Sequence, residues 1–321
     1  MSGAGNAVVS LTERIKAEAL RLGFSKVGIA AAEPLTDDGA RLTEWLARGY
    51  HGTMEWMART ASKRSRPEEV LEGVRSIVSV ALNYYTGVAH AEDPSCGKIS
   101  RYAWGDDYHE VVTSRLTQLL AFIQTASPEA AGRFYADTGP VMEKAWAERA
   151  GIGWRGKHTN LITQEFGSWV FLGEILLSIP LDADLPALDH CGSCTLCIDA
   201  CPTDAIAEPY VVDSNRCISY LTIEHRGEIA QELGAHFEGW IYGCDICQDV
   251  CPWNHRFSEE SPIKEFQPRD VNVRPELERI SGLTDGEFAA HYKHSPIKRT
   301  KRAGLARNAG IVRASRSPQS P

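Results

Sequence analysis

At 321 residues and 35.4 kDa, with 43% hydrophobic and 24% charged residues, the chain has length for roughly two domains. That composition excludes a wholly disordered, collagen-like or coiled-coil protein. No apolar run approaches the roughly 20 residues of a membrane-spanning helix, and residues 1–10 lack a basic segment followed by an apolar one, so a soluble, cytoplasmic protein is expected. The net charge of −8 is uneven: Phe288 to Pro321 hold eight Lys or Arg and no Asp or Glu, a pattern of either a polyanion-binding end or a solvated basic tail.

In chain order, Ser10-Leu11-Thr12-Glu13 has the form of a capping box, followed by apolar Ile15, Ala19 and Leu22 and a stop at Gly23. Lys26–Ala30 reads as a short buried strand. Thr43–Arg48 reads as a helix ending in the loop Gly49-Tyr50-His51-Gly52. Ser76–Leu82 is rich in β-branched residues and predicts a strand. Tyr108–Thr125 carries Val112, Leu116, Leu119 and Ile123 at helical spacing. Arg133–Ala136 predicts a strand running into Asp137-Thr138-Gly139-Pro140, Met142–Ala150 a helix, and Ser168–Ser178 a long apolar strand. This alternation predicts an α/β (or α+β) domain over residues 1–180. A polar linker opens at Leu181, a cysteine module fills residues 181–260, Arg256–Asn272 read as loop, and residues 261–321 form a short helical, basic segment with a disordered tail (Ser315–Pro321).

Eight of the nine cysteines fall between Cys191 and Cys251. Such density in a cytoplasmic chain points to metal rather than structural disulfides. Cys191-x2-Cys194-x2-Cys197-x3-Cys201-Pro202 matches the bacterial ferredoxin run, in which three thiolates wrap one cubane and the fourth, before proline, ligates the other cluster. The second run, Cys244-x2-Cys247-x3-Cys251-Pro252, has Ile241 where a first cysteine belongs, and Cys217 is the replacement. The eight then divide into Cys191, Cys194, Cys197 and Cys251 for one [4Fe–4S] cluster and Cys201, Cys217, Cys244 and Cys247 for the other. Zinc or disulfides are the competing readings, but three cysteines at x2 spacing followed by Cys-Pro do not resemble a zinc ribbon. Cys96 falls outside the pattern as a bystander thiol.

Further motifs carry a resemblance. Met54-Glu55-Trp56-Met57-Ala58-Arg59, the run Arg101 to His109 (RYAWGDDYH), Asp137-Thr138-Gly139-Pro140 and Gly151 to His158 (GIGWRGKH) occur in one order with Arg216 to Glu224 (RCISYLTIE), Tyr242 to Gln248 (YGCDICQ) and both cysteine runs. Over residues 10–312 the chain resembles the epoxyqueuosine reductase family, which completes queuosine synthesis in tRNA. The resemblance implies a cobalamin-binding domain related in architecture to reductive dehalogenases, a ferredoxin-like module with two [4Fe–4S] clusters, and reduction of an epoxide on the wobble base of tRNAs with GUN anticodons. It implies an external electron donor of flavodoxin or ferredoxin type and a monomer. An acid must protonate the departing oxygen, and Asp137 matches that position; it also follows a predicted strand end, where α/β folds place ligands. Competing readings of Asp137 are an aspartic-protease triplet and a cap for the helix from Met142.

Arg59 matches a cofactor-contact arginine of the family. Lys157, His158 and Asn160 follow a glycine-rich stretch suited to the corrin or its tail, with no protein histidine on cobalt. Ser219, Tyr220 and Asp245 lie beside cluster ligands and face the cofactor in this reading. The chain stops after what resembles the first of the helical repeats that longer family members carry. Two rivals are a corrinoid reductase of a small halogenated or epoxidised molecule and a simple ferredoxin-like carrier; the latter leaves the first 180 residues without a purpose.

Overall fold

The computed structural model describes residues 9–316; most of the expected tail, residues 317–321, lies outside them. The first part is built on helix α1 (Leu11–Arg21), strand β1 (Lys26–Ala31), helices α2 (Thr36–Ala47), α3 (Glu55–Arg59) and α4 (Ala61–Ser65), and strands β2 (Ser76–Asn83) and β3 (Lys98–Ile99). Helix α5 (Tyr108–Ala126), β4 (Gly132–Tyr135), α6 (Glu143–Arg149), β5 (Trp154–Arg155), β6 (Leu161–Ile162) and β7 (Val170–Leu177) follow. The capping box forms as the sequence requires: the Ser10 hydroxyl accepts the Glu13 N–H and the Glu13 carboxylate accepts that of Ser10. Helix α2 starts seven residues earlier than the apolar spacing implied, because Asp37 and Asp38 favour its first turn although Gly39 weakens the helical signal there.

The fold is mixed α/β, with a twist on the expected alternation. The four-stranded sheet runs β1-β2-β7-β4, and all three ladders are antiparallel. Strand β2 is buried along its whole length, as its run of β-branched residues requires. Along β7, Phe171, Ile175 and Leu177 join the core under α5, while Leu172 and Leu176 pack toward α6. Gly28 is needed where β1 passes the end of α6, since a Cβ there would stand 2.0 Å from the Ala150 carbonyl oxygen.

The linker after β7 is tied down rather than free. The Asp184 carboxylate accepts from the Ile29 N–H (2.8 Å) and the Lys16 ammonium (2.5 Å), leaving Leu185 and Leu188 exposed. Packing then departs from chain order. Strand β3 pairs in parallel with Trp240–Tyr242 of the cysteine module. Trp104, Trp240, Tyr242, Tyr292 and the apolar face of the C-terminal helix Lys301–Arg316 close one core around them. The fully buried Asn308 amide binds this helix inward, donating to the Thr222 and Ile241 carbonyls (2.8 and 2.9 Å). Residues 256–272, read as loop, include the end of a helix Pro252–Phe257 and part of another, Asp270–Val273.

Candidate active site

Between the sheet, the cysteine module and the segment before the C-terminal helix lies a cavity of about 1250 Å³. That exceeds the space a drug-sized ligand occupies, so the site has room for a large cofactor beside a substrate group. Its walls sort the cysteines. Cys201, Cys217, Cys244 and Cys247 all line it, whereas Cys191, Cys194, Cys197 and Cys251 stand behind.

The thiols group the same way by their mutual influence. Burial first, then Cys191, Cys251 and Cys194, push the Cys197 thiol up to about 11. Burial and then Cys217, with Cys197 and Cys201, push Cys247 up, and desolvation, then Cys247 and Cys217, do the same to the half-buried Cys244. Two sets of four therefore sit side by side, meeting at Cys197 and Cys247. All nine cysteines are free thiols, so the disulfide reading fails. Among the described residues, no three His, Cys, Asp or Glu side chains converge on one point as a single metal ion requires, whereas the four thiolates of a cubane each hold a separate corner.

On the opposite wall Asp137 follows β4 in a left-handed conformation (φ 56°). Few non-glycine residues adopt it, and here hydrogen bonds hold it. The Tyr108 hydroxyl donates to Asp137 Oδ2 at 2.5 Å, and the Asp137 N–H donates to Glu143 Oε1. His109 Nε2 stands 3.8 Å from the same Oδ2, its other nitrogen 2.7 Å from Asp107. Tyr108 is fixed in turn by stacking on Phe171, centroids 4.3 Å apart and rings parallel within 3°. The capping role for Asp137 is overturned: α6 begins after Met142, and no side chain caps it. Gly139 also lines the cavity and lets the loop pass close to Tyr135, since a Cβ would lie 2.2 Å from that ring.

The other expected contacts divide. His158, Asn160, Ser219 and Tyr220 line the cavity. His158 is buried, accepts the Asn160 N–H at Nδ1 (3.1 Å) and leaves Nε2 without a partner. Burial, then Lys144, pull it down to about 4, so the imidazole is neutral at physiological pH. Asn160 accepts from Lys144 Nζ at 3.1 Å, and the Tyr220 hydroxyl takes the Thr53 N–H at 2.7 Å.

Three expected residues lie elsewhere. Arg59 is exposed on α3, and the arginine of this region that lines the cavity is Arg64, 9% exposed on α4. Lys157 is turned away and donates to the Gly192 and Cys194 carbonyls (2.7 and 2.8 Å), propping the first cysteine loop. Asp245 is fully buried behind the wall, where it accepts from Ser100 Oγ, the Arg101 N–H (2.9 Å) and the Arg101 guanidinium (3.2 Å). Sequence reasoning also missed Tyr108, Glu143 and Lys144. Tyr108 did belong to a quoted motif, but Glu143 and Lys144 look like ordinary first-turn helix residues.

The basic end is less free than its composition suggests. Arg299 is doubly paired with Glu224 (2.8 and 2.9 Å), Arg302 with Asp285 (2.6 Å), and Arg307 donates to three backbone carbonyls. Lys298 and Arg299 line the cavity mouth.

Comparison with known proteins places this geometry. A family model described as a 4Fe-4S double cluster binding domain matches residues 190–254, and one described as epoxyqueuosine reductase QueG matches residues 64–138. The epoxyqueuosine reductase of Synechocystis sp. is 49% identical over 286 residues, covering 88% of this chain and 98% of that protein. That of Escherichia coli is 41% identical over 306 residues, covering 94% and 80%. A crystal structure of an epoxyqueuosine reductase with an epoxyqueuosine-modified tRNA-Tyr stem loop matches with a TM-score of 0.88 at 31% identity, covering 95% of this chain and 81% of that one. The Bacillus subtilis enzyme, with its catalytic aspartate loop swung out of the active site, matches at 0.87, again at 31% identity over 95% and 81%. Among the described residues no helix is long and apolar enough to cross a membrane.

Proposed function

Because the chain belongs to the epoxyqueuosine reductase family, we propose that it reduces epoxyqueuosine to queuosine in tRNAs with GUN anticodons, using two [4Fe–4S] clusters and cobalamin. The observation that carries this reading is the sorting of the cysteines, one set of four in the cavity wall and the other behind it. The loop from Gly192 to Leu196, which holds Cys194, is largely exposed. A protein donor of flavodoxin or ferredoxin type can reach the first set there, and the second set opens on the reaction space. The protein acts in this reading as a cytoplasmic monomer. Residues 1–180 form the cobalamin-binding domain, 181–260 carry the clusters and add Ser219 and Tyr220 to the cofactor's wall, and 261–321 supply the basic end.

The cavity fits cobalamin in size, and the unpartnered Nε2 of buried His158 is a polar group awaiting a ligand. His158, Asn160, Ser219, Tyr220 and Arg64 are the residues that would hold it. A guanidinium suits the amide and phosphate groups of such a cofactor. When bound, cobalamin supplies a low-valent cobalt centre, strongly reducing and nucleophilic. The chain's own part is acid chemistry and exclusion of water. Asp137, aimed by Tyr108 and by its backbone bond to Glu143, gives a proton to the departing epoxide oxygen. Lys298 at the mouth is placed to meet tRNA phosphates.

Anaerobically reconstituted protein, loaded with both clusters and cobalamin and chemically reduced, should convert an epoxyqueuosine-containing tRNA stem loop to the queuosine form, read by mass spectrometry. Full loading without conversion would refute the reading.

A further inference from the structure

Removing an epoxide oxygen to leave an alkene breaks both C–O bonds and releases the oxygen as water. The balance is two electrons and two protons per turnover. The electrons come from an external one-electron donor through the clusters, but Asp137 carries a single proton. A second acid, or a path that recharges the first, must open on the same wall.

We infer that Glu143 is that second acid, a positioning and proton-supplying residue that recharges Asp137 within each turnover. This rests on the reading of Asp137 as proton donor.

The geometry is direct. Glu143 opens α6, lines the cavity and accepts the backbone N–H of Asp137, so the two carboxyl groups belong to one hydrogen-bonded turn. The surroundings keep Glu143 charged with a proton. From the loop after β4, Asp137 faces it; from α5, the Tyr108 phenol; from α4, Arg64; from α6 itself, Lys144. From β7 comes Glu174, wholly buried opposite Ser79 and Tyr135, with the Ser79 hydroxyl on Oε1 (3.3 Å) and Oε2 unpartnered. Burial and then Glu143 push Glu174 far up, so it remains a neutral acid behind the pair. Burial, then the Asp137 charge, raise Glu143 to about 8, outweighing the pull of the Asp137 N–H, Lys144 and Arg64. While Asp137 is charged, Glu143 is thus protonated at neutral pH, and the strongly basic oxygen of the opened epoxide, rather than Asp137 by itself, draws that proton across through the Asp137 carboxylate.

The sign follows. An acid that must be protonated supports turnover below its pKa and loses it as pH rises through about 8. In Glu143→Gln the amide oxygen still accepts the Asp137 N–H, so the loop keeps its place, but the proton is gone. In holoenzyme acting on the modified stem loop, kcat should fall at least about 10-fold while KM changes less than about two-fold, and the decline above pH 8 should vanish. Glu143→Asp, which keeps an acid, should recover part of the rate. Independently of activity, wild-type minus Glu143→Gln infrared difference spectra should show a protonated carboxyl C=O band at pH 7 that titrates near 8. Unchanged kcat and pH profile in the Gln variant, or no such band, would overturn the inference. If Asp137→Asn turns over normally, the parent reading has failed; if it is dead while Glu143→Gln is normal, only this one has.

Discussion

Asp137 shows how much one side chain can owe to its neighbours. Its left-handed backbone, the Tyr108 hydroxyl and the Glu143 acceptor hold an exposed carboxyl group at the cavity. Asn at this position keeps the size and tolerates the same φ, but it has no carboxyl proton to give. Asp137→Asn should therefore load both clusters and cobalamin and lose turnover by roughly 10²–10⁴-fold. Single-turnover assays on a preparation of known cofactor content check this. Loss of cobalamin loading instead would make Asp137 a cofactor-holding residue. Asp245 makes the contrast. Its carboxyl group is buried beside Cys244 and binds Arg101 and Ser100, so it ties the segment at β3 to the second cysteine run. Asp245→Asn should cost about 2–3 kcal/mol, because Arg101 loses one of two acidic partners, Asp249 remaining at 2.7 Å. Denaturant midpoints should record the loss while cobalamin affinity of the folded protein stays unchanged.

Among the elements, the short helix Ile218–Ile223 is the most informative. Cys217 stands at its N-terminal cap, 27 residues before Cys244, and yet it shares the cavity wall with Cys201, Cys244 and Cys247. Thr222 ties the same helix to the second run, its hydroxyl accepting the Gly243 N–H at 2.9 Å. Cys217→Ser should accordingly remove or weaken one cluster only, lowering iron from about eight toward about four per chain. Iron and sulfide analysis after anaerobic reconstitution measures it, and an unchanged eight would break the assignment of Cys217. The sheet teaches a different lesson. Alternating helix and strand is compatible with a parallel sheet, but here long connections return each strand antiparallel to its neighbour. Hydrophobic spacing reports which residues are buried, not which strand lies beside which.

At the scale of the molecule, the C-terminal helix changes meaning. Leu305, Ala309 and Val312 are buried in the core that surrounds Trp104 and Trp240, so this helix completes the cluster-bearing half. Its arginines largely bind the protein's own acids and carbonyls, which leaves Lys298 at the cavity mouth and the exposed Lys301 beside it as the cations best placed for tRNA phosphates. Replacing both lysines by Gln should weaken tRNA binding and lower the slope of log K against log salt by about one to two, since each lost phosphate contact releases about one counterion fewer. Equal slopes in wild type and variant would mean that the phosphates are met elsewhere.

The double-cluster module and the family were legible in the sequence because their signals are local: thiolates two or three residues apart on a tight loop can wrap one cubane whatever surrounds them. Elimination pointed to Cys217 and a motif to Asp137, and both line the cavity. The roles of Arg59, Lys157 and Asp245 could not be read that way. Each lies beside a motif residue in sequence, but where a side chain points depends on segments remote in the chain. Lys157 is claimed by carbonyls about 35 residues later, Asp245 by a guanidinium 144 residues earlier, and the cavity takes Arg64 in place of Arg59 because that residue faces inward from its helix. Glu143 became visible for the same reason. A glutamate in the first turn of a helix looks like ordinary dipole compensation until the fold half-buries it beside another carboxylate, and that desolvation together with the neighbouring charge gives it a proton to hold.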